Sequence, residues 1–368
     1  MPFNSQSSSC KVDRVNVDVL FFSRGRGKGH AVPDLSIIAE LRRLSPGVQV
    51  AVASYSMGAE VFDAAGECLN RMELPENNPF ADTVVCASRV LDEVSAPLVI
   101  CHEEPAALPA AKLHGAKTIF LSHWFSGIGD PFLHSLRFAD EVLFMERQGL
   151  FPEPDVVAGR VRYVGPVLRR FQYFPTDRER IRGELGFAQS DKIILMLPGN
   201  PSESIAPTCE LVLGAYDLIT SPHKRLIWIA GKDKAVVSES IGARANVEVI
   251  EVDWKLDRLM VACDMAITKG TYNISRELYA LGIPSIALSY GQNFIDDLFV
   301  RTFPNTKFLW AKETDSSVLT EQIDSALSRG IGAPDEALLH GEGVVAAATA
   351  ILEYIECAKT EFAPGGAH

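Results

Sequence analysis

The sequence lacks the features by which several classes of protein are recognised. Its seven cysteines are an odd number, are widely spaced and form no Cys-x-x-Cys pair, so neither a disulfide framework nor a structural metal site is expected. No apolar run approaches the roughly 18 residues that a membrane-spanning helix needs. The first residues also lack the charged and apolar regions of a signal peptide. These absences predict a protein of the reducing cytoplasm.

The chain also lacks an excess of positive charge. The chain has 35 basic and 47 acidic side chains, a formal net charge of −12, and this balance argues against a nucleic-acid partner because such proteins neutralise many phosphates. No Asp-x-Asp motif stands at the end of a predicted strand, so we expect no divalent metal. We also expect no cofactor. A site for one anionic small molecule stays compatible with this charge.

What the chain does have is the composition of an ordinary globular protein. Of its 368 residues, 47% are hydrophobic and 22% are charged, and this length predicts about two domains. Both ends are polar, and we expect residues 1–14 and 363–368 to be tails outside the fold.

Strand-like and helix-like segments alternate through the first half. Apolar, β-branched runs are each followed by helical spacing, which predicts parallel strands with helices on both faces of a doubly wound sheet. The predicted strands are Val17–Phe22, Val48–Ala53, Leu98–Cys101, Thr118–Leu121 and Glu141–Phe144, and the first predicted helix is Pro33–Leu44. Together they predict an α/β domain over residues 15–165.

The same alternation returns after a proline-marked stretch at 166–175. Its predicted strands are Ile193–Leu197, Leu226–Ala230, Val247–Val252, Met265–Thr268 and Ser285–Leu288. This pattern predicts a second α/β domain over residues 166–340. A C-terminal helix is predicted at Glu342–Lys359, within 341–362, with one apolar face formed by Val345, Ala348, Ile351, Leu352 and Ile355. Its spacing does not indicate which domain it packs on.

A glycine-rich turn follows the first predicted strand. Gly25, Gly27 and Gly29 alternate with cations, His30 comes next, and Pro33 is expected to open the helix. Glycines let backbone approach a ligand closely, and a helix start offers free N–H groups to an anion. We interpret Gly27, Lys28 and Gly29 as a phosphate or acceptor turn and His30 as a candidate general base. The alternative is a histidine that only packs or caps the helix.

Two common phosphate motifs do not fit this turn. A dinucleotide site needs Gly-x-Gly-x-x-Gly and an acidic residue after the second strand, but the third glycine comes one position early and the second strand ends in Ser54-Tyr55. A P-loop ends in Gly-Lys-Ser/Thr, which is absent here.

A second glycine turn lies between a strand and a helix in the second half. Residues Gly270, Thr271, Tyr272 and Asn273 are placed to present backbone donors to a phosphate, and Glu277 to accept hydrogen bonds from a ribose. The alternative role for Glu277 is a favourable interaction with the helix dipole. Two further segments of this half are candidate parts of a nucleotide site: Gly199, Asn200 and Ser202 as a second phosphate turn, and Val252 and Trp254 beside a base.

With these motifs the chain resembles the GT-B glycosyltransferases of the family 28 type, the MurG-like and diacylglycerol galactosyltransferase-like group. The resemblance spans nearly the whole chain. It is carried by the turn that ends in Gly29-His30, by His102-Glu103-Glu104-Pro105 in place of the group's His-Glu-Gln-Asn, and by Gly270–Pro284.

The resemblance implies two Rossmann-like domains facing across a cleft, with the acceptor on the N-terminal domain and the nucleotide sugar on the C-terminal one. It implies a UDP-linked donor, inversion and no metal, with Glu103 and Glu104 on the acceptor side. His30 would deprotonate the acceptor hydroxyl or stabilise the departing phosphate. The donor would be bound by the residues already named: Gly199, Asn200, Ser202, Val252, Trp254, Gly270, Thr271, Tyr272, Asn273 and Glu277.

Several matters stay open at this point. The group's compact neutral turn carries two added cations here, Arg26 and Lys28, and Pro105 replaces an asparagine, so the acceptor is not identified. There are two alternative functions: a nucleotide-sugar 2-epimerase or hydrolase of the same fold, and a catalytically silent nucleotide-sugar-binding protein. The sugar, the oligomeric state and a peripheral contact with the inner face of the membrane are not decided by the sequence.

Overall fold

The computed structural model describes residues 14–74, 80–124, 133–150, 152–199, 205–242, 244–251, 255–291 and 294–361. The two predicted tails, apart from Arg14, lie outside these residues. The chain divides into two compact units, Met1–Val167 with Glu342–His368, and Leu168–Gly341. Both divisions fall within two residues of the predicted boundaries.

The first unit is built on a parallel sheet. Its strands are β1 (Val15–Asn16), β2 (Val19–Ser23), β3 (Val50–Ser54), β4 (Leu69–Arg71), β5 (Val94–Ser95), β6 (Leu98–His102), β7 (Lys117–Ser122), β8 (Glu141–Phe144) and β9 (Val161–Tyr163). Its first helices are α1 (Lys28–Leu44), α2 (Ser56–Ala65), α3 (Phe80–Glu93) and α4 (Ala107–Leu113), with short 3-10 helices at Leu133–Phe138 and Asp155–Val157. Seven strands form the sheet in the order β4-β3-β2-β6-β7-β8-β9, and β1 pairs with β5 apart from it.

The second unit repeats this architecture with six parallel strands. They are β10 (Lys192–Leu197), β11 (Lys224–Ile229), β12 (Val247–Ile250), β13 (Met265–Thr268), β14 (Ser285–Ser289) and β15 (Thr306–Trp310). The helices are α5 (Arg178–Glu184), α6 (Ile205–Leu218), α7 (Lys234–Ile241), α8 (Leu256–Ala262), α9 (Tyr272–Ala280), α10 (Phe294–Val300), α11 (Ser316–Arg329) and α12 (Glu336–Leu339), with 3-10 turns at Pro175–Asp177, Gly231–Asp233 and Ala311–Glu313. The strand order is β12-β11-β10-β13-β14-β15.

Each sheet carries an apolar core on both faces, as the continuous apolar strands predicted. All ten predicted strands are confirmed within two residues at each end. Within the described residues, the structure adds five strands: the edge strands β4, β9 and β15, whose residues are largely half-buried or exposed, and the two-residue strands β1 and β5. These added strands are short or interrupted by polar residues, so they lack the continuous apolar run by which the other strands were found.

The start of α1 corrects one prediction. The helix begins at Lys28, so Lys28, Gly29 and His30 form its first turn and Pro33 lies inside it. The sequence interpretation took Pro33 as the first helical position, where proline is most common. Instead, Gly27 is the extended N-cap residue, and the helix accommodates a proline that donates no hydrogen bond.

The C-terminal helix α13 (Glu342–Glu361) belongs to the first unit and packs on α1. Of the predicted face, Ala348, Ile351 and Ile355 are buried, Leu352 is half-buried and Val345 is 40% exposed. The rest of the buried face is formed by Val344, Ala347, Ala350 and Ala358. At its start, a Cβ on Gly343 would lie 2.1 Å from the carbonyl oxygen of Pro166, so only glycine fits there. Among the described residues, no helix combines the length and apolar character needed to cross a membrane.

Candidate functional site

The first candidate site lies where the strand order of the first sheet reverses. From β2 the chain continues to β3 and β4 on one side, whereas β6 leads to β7, β8 and β9 on the other. The register aligns the ends of the inner strands, with Ser23 opposite His102 and His102 opposite Leu121. Such a crevice outside the carboxyl ends of the strands is where open α/β sheets bind ligands.

The Glu103 carboxylate is the centre of this site. His30 Nε2 lies 2.7 Å from Glu103 Oε2, His123 Nδ1 lies 3.0 Å from Oε1, and the Ser122 hydroxyl donates to Oε1 at 3.0 Å. His30 lies in the first turn of α1, Glu103 directly follows β6, and Ser122 and His123 lie at the end of β7. Glu103 has φ +48°, a left-handed backbone conformation that is unusual for glutamate.

Burial and charge set the protonation states of this group. Burial raises the pKa of Glu103, but His123 and His30 outweigh that effect and hold the pKa well below its usual range. Burial lowers the pKa of His30, and the attraction of Glu103 only partly opposes it. Because the carboxylate is ionised, the Nε2–H of His30 donates to it and the lone pair is on Nδ1, which is buried with no hydrogen-bond partner in the described structure.

A second buried pair adjoins the first. His102 Nδ1 lies 2.8 Å from Asp34 Oδ1, with side-chain exposures of 1% and 0%, and the His102 and His30 rings meet edge to face at 4.8 Å. Burial lowers the pKa of His102, yet the Asp34 carboxylate outweighs it and raises the pKa above its ordinary value. Asp34 therefore holds the His102 ring on which the His30 ring packs.

The remaining first-unit candidates have different surroundings. Glu104 is buried and accepts a hydrogen bond of 2.9 Å from the Tyr55 hydroxyl, so it faces the protein interior. Lys28 is half-buried, and burial lowers its pKa while Glu60 opposes that effect. Gly27 has open space around it, and Gly29 is exposed on the first turn of α1.

The glycine at the start of this turn corrects the sequence interpretation. A Cβ on Gly25 would lie 1.9 Å from the Tyr55 carbonyl oxygen, and one on Gly58 would lie 2.8 Å from the Cα of Gly25. The Gly58 N–H also donates to the Gly25 carbonyl at 3.1 Å. Gly25 is therefore required by the packing of the turn against the start of α2, whereas the sequence suggested a close approach to ligand.

One cluster in the described chain has the residue types of a metal site. His30, His102 and Glu103 each offer a ligand atom within 4.8 Å of the others. However, both Glu103 oxygens already contact imidazoles, and His102 contacts Asp34. This geometry is that of a hydrogen-bonded network, and we assign no metal ligands to it.

The second candidate site lies at the matching point of the second sheet, between β10 and β13, where the strand order again reverses. Gly199 follows β10 with φ +73°, and Gly270 follows β13 with φ +82°, a conformation that favours glycine. Lys269 lies between them, with its N–H bonded to the Leu197 carbonyl. A small recess there is lined by Met196, Pro198, Thr208, Thr268, Lys269, Leu288 and Tyr290.

The start of α9 follows the second turn. Thr271 is the N-cap residue but its side chain makes no capping hydrogen bond, and both Thr271 and Asn273 are half-buried. Tyr272 is 4% exposed, and its ring packs edge to face on Phe299. Any phosphate contact at Tyr272 would therefore have to come from its backbone, and the predicted roles of these residues stay predictions.

Glu277 lies in the second turn of α9 and faces the interior. It is 2% exposed, and one carboxylate oxygen is 2.8 Å from Arg169 Nε. Burial raises the pKa of Glu277, and Arg169 only partly opposes this rise. A ribose would have to displace or share this arginine, which the sequence gave no reason to expect. The ribose role stays a prediction.

Four predicted donor residues, Asn200, Ser202, Val252 and Trp254, lie outside the described residues. Conversely, the structure brings in Asp34, Tyr55, His123 and Arg169, which the sequence interpretation did not select. His123 directly follows β7. It could have been predicted, because polar residues that follow parallel strands lie together at the carboxyl edge of the sheet. Nothing in the sequence pattern paired Asp34 with His102 or Arg169 with Glu277.

The solved structures that are similar to this chain include glycosyltransferases and epimerases of the GT-B fold. SnogD, a glycosyltransferase of Streptomyces nogalater, is 17% identical, with 94% of this chain and 99% of that chain covered and a TM-score of 0.63. MurG of Acinetobacter baumannii is 14% identical over 94% and 99%, with a TM-score of 0.59. The UDP-GlcNAc 2-epimerase of Neisseria meningitidis, in a structure bound to UDP-GlcNAc, is 12% identical over 92% and 100%, with a TM-score of 0.60.

These similarities confirm the predicted GT-B fold and the structural resemblance to MurG. No protein-family model and no curated protein matches the sequence.

Proposed function

We propose that the protein is a glycosyltransferase that moves a sugar from a UDP-linked donor to an acceptor hydroxyl, with inversion and without a metal. One observation carries the proposal. A buried carboxylate contacts a histidine, Glu103 with His30 at 2.7 Å, at the carboxyl edge of a parallel sheet in a chain that has the fold of such enzymes.

The contact between Glu103 and His30 supports a general-base role for the histidine. An ionised Glu103 orients the ring and stabilises the imidazolium that forms when His30 takes a proton. The acceptor oxygen then bonds to the anomeric carbon as the bond from that carbon to the phosphate oxygen breaks. The proton stays on His30, and the nucleoside diphosphate leaves. The acceptor must reach Nδ1, which is covered in this structure.

For the donor, we propose the two glycine turns of the second unit. A turn at the start of α9 would offer backbone N–H groups and the positive end of the helix dipole to the diphosphate. Gly199 and Gly270 both adopt the left-handed conformation that such a turn uses. Helix dipole and backbone donors can stabilise the leaving diphosphate, which is the role that a metal has elsewhere.

A second candidate is a nucleotide-sugar 2-epimerase or hydrolase. It is favoured by the structural similarity to two UDP-GlcNAc 2-epimerases, whose TM-scores of 0.60 and 0.61 fall within the range of 0.59 to 0.63 found for MurG and SnogD. It is also compatible with the acid and base groups around Glu103, because epimerisation at C2 needs a base for the C2 proton and no acceptor.

The test has two stages. Thermal melting with a panel of nucleoside diphosphates and nucleotide sugars should show stabilisation by one donor class, and product analysis with and without candidate acceptors should then follow. Transfer that depends on an acceptor supports the proposal, whereas an epimer or a free sugar without acceptor supports the second candidate. Donor binding without any product in either assay would indicate a silent binding protein.

A further inference from the structure

Two histidines share one carboxylate in the first unit. Glu103 presents Oε2 to His30 Nε2 at 2.7 Å and Oε1 to His123 Nδ1 at 3.0 Å. The side-chain exposures are 18% for His30, 13% for His123 and 6% for Glu103, so water screens these contacts poorly. The proposed reaction needs only His30 and Glu103, which leaves His123 without a role.

The charge around Glu103 links His123 to the protonation of His30. A single carboxylate can compensate the positive charge of one imidazolium, and two imidazoles compete for it. A donor on Oε1 withdraws negative charge from the oxygen that faces His30, and a positive charge on His123 would also repel a proton on His30. Either way, His123 makes His30 harder to protonate.

Other charged groups face the same cluster from neighbouring elements. Arg24, at the end of β2, and His102 both act against a positive charge on His30. Asp34, on α1, compensates His102 at 2.8 Å. Glu104 is bonded to the Tyr55 hydroxyl at 2.9 Å. These groups are the same with and without His123, so a change at His123 isolates the contribution of that ring.

We propose that His123 is a positioning residue that acts through Glu103 to set how readily His30 accepts a proton. The catalytic consequence rests on the proposed function, because it assumes that His30 is the base. The coupling of the two rings does not rest on it, and it is measurable in the protein alone.

The experiment is an NMR titration of the His30 ring in the full chain without ligand, with the resonance assigned from the His30→Asn variant. His123→Phe removes the imidazole donor to Oε1 but keeps an aromatic ring, and the Ser122 hydroxyl still donates to Oε1. The His30 titration should then move to higher pH by about half a unit to one unit. His123→Asn restores an N–H donor near the position of Nδ1 and should return most of the shift. His340→Phe removes an imidazole that pairs with Glu336 in the second unit and should leave His30 unchanged.

Three outcomes overturn the proposal. An unchanged His30 titration in a His123→Phe protein that melts normally shows that the rings are not coupled. A shift of equal size in His123→Asn shows that lost packing, not the contact with Glu103, moves His30. A shift to lower pH reverses the sign of the argument. If His123→Phe does not melt cooperatively, His123→Leu takes its place.

An activity arm separates this proposal from the proposed function. If the protein is a transferase, the acid limb of kcat/KM should move in His123→Phe in the same direction as the NMR titration, with the KM for the donor unchanged. If NMR shows the shift but no transferase activity is found, the coupling of His123 to His30 is supported and only the proposed transferase function is wrong.

Discussion

In both units the candidate site lies where the strand order of a parallel sheet reverses, but the residues at the two sites differ. The first unit concentrates titratable groups there, with Glu103 between His30 and His123 and with His102 on Asp34. The second unit places two left-handed glycines, Gly199 and Gly270, at the corresponding strand ends.

The difference follows the chemistry that each kind of site can support. Proton transfer needs side chains whose pKa values are shifted by burial and by neighbouring charges. Binding of a phosphate needs backbone N–H groups and room for close approach, which glycine turns supply. The two units therefore suggest a division between a reactive site and a binding site, and variants in each unit should affect different measurements.

The largest effect is expected for His30→Asn. Asparagine keeps a polar side chain but takes up no proton near neutral pH, so turnover should fall by about 10²- to 10⁴-fold while nucleotide affinity changes little. The acid limb of the pH profile should also disappear. In the unaltered protein that limb should lie below about pH 6.5, because burial lowers the pKa of His30. Steady-state kinetics and calorimetry check the two parts, and nearly full activity in the variant would remove the general-base role.

A large loss of stability is expected for Asp34→Asn, because His102 would lose a buried charge partner. Removing one partner of such a pair costs about 3 to 5 kcal/mol. The pKa of folded His102 is raised, so the stabilisation is complete below its unfolded pKa of about 6.5 and declines as the pH rises through the folded pKa. The loss should therefore be larger at acidic than at alkaline pH, as measured by denaturant unfolding.

The matched control for that measurement is the half-exposed pair between Asp217 and Arg244 in the second unit. There, Asp217→Asn should cost no more than about 1 kcal/mol, since water screens the pair. A pH-independent loss for Asp34→Asn would contradict the assigned charge on His102.

A smaller effect, on nucleotide binding, is expected for Glu277→Ala. Loss of a charge-assisted hydrogen bond to a ribose should weaken binding about tenfold or more. The structure adds an effect that the sequence did not suggest: the change leaves Arg169 without its carboxylate, so melting should also occur at a lower temperature. Arg169→Gln breaks the same pair but keeps the carboxylate. Calorimetry should show weaker binding only in Glu277→Ala, and equal affinity in the two variants would leave Glu277 a purely structural role.

No change is expected on chelation. Turnover after dialysis against EDTA should equal that of the untreated protein, because the Glu103 oxygens contact imidazoles and the proposed leaving group is stabilised by backbone donors. Activity that is lost on chelation and restored by a divalent cation would require the site to be rebuilt around a metal.

The local features of the chain were predictable because neighbouring residues specify them. The inner strands follow from continuous apolar runs, and the stop of α9 follows from Gly282. That residue has φ +72°, the left-handed conformation in which glycine commonly ends a helix. The start of α1 was missed because two local preferences disagree: Pro33 favours a first helical position, whereas the extended Gly27 begins the helix five residues earlier.

By itself, the sequence determined the α/β alternation, the places where glycine turns meet helix starts, and the candidacy of His30 and Glu277, since each depends on residues close together in the chain. Only the tertiary structure decided what these side chains contact. His30 and Glu103 are 73 positions apart, and His102 and Asp34 are 68 apart. Such pairs form because α1, which carries His30 and Asp34, follows β2, and β2 lies beside β6, whose end leads to His102 and Glu103. A residue pattern along one chain does not record which distant strands become neighbours.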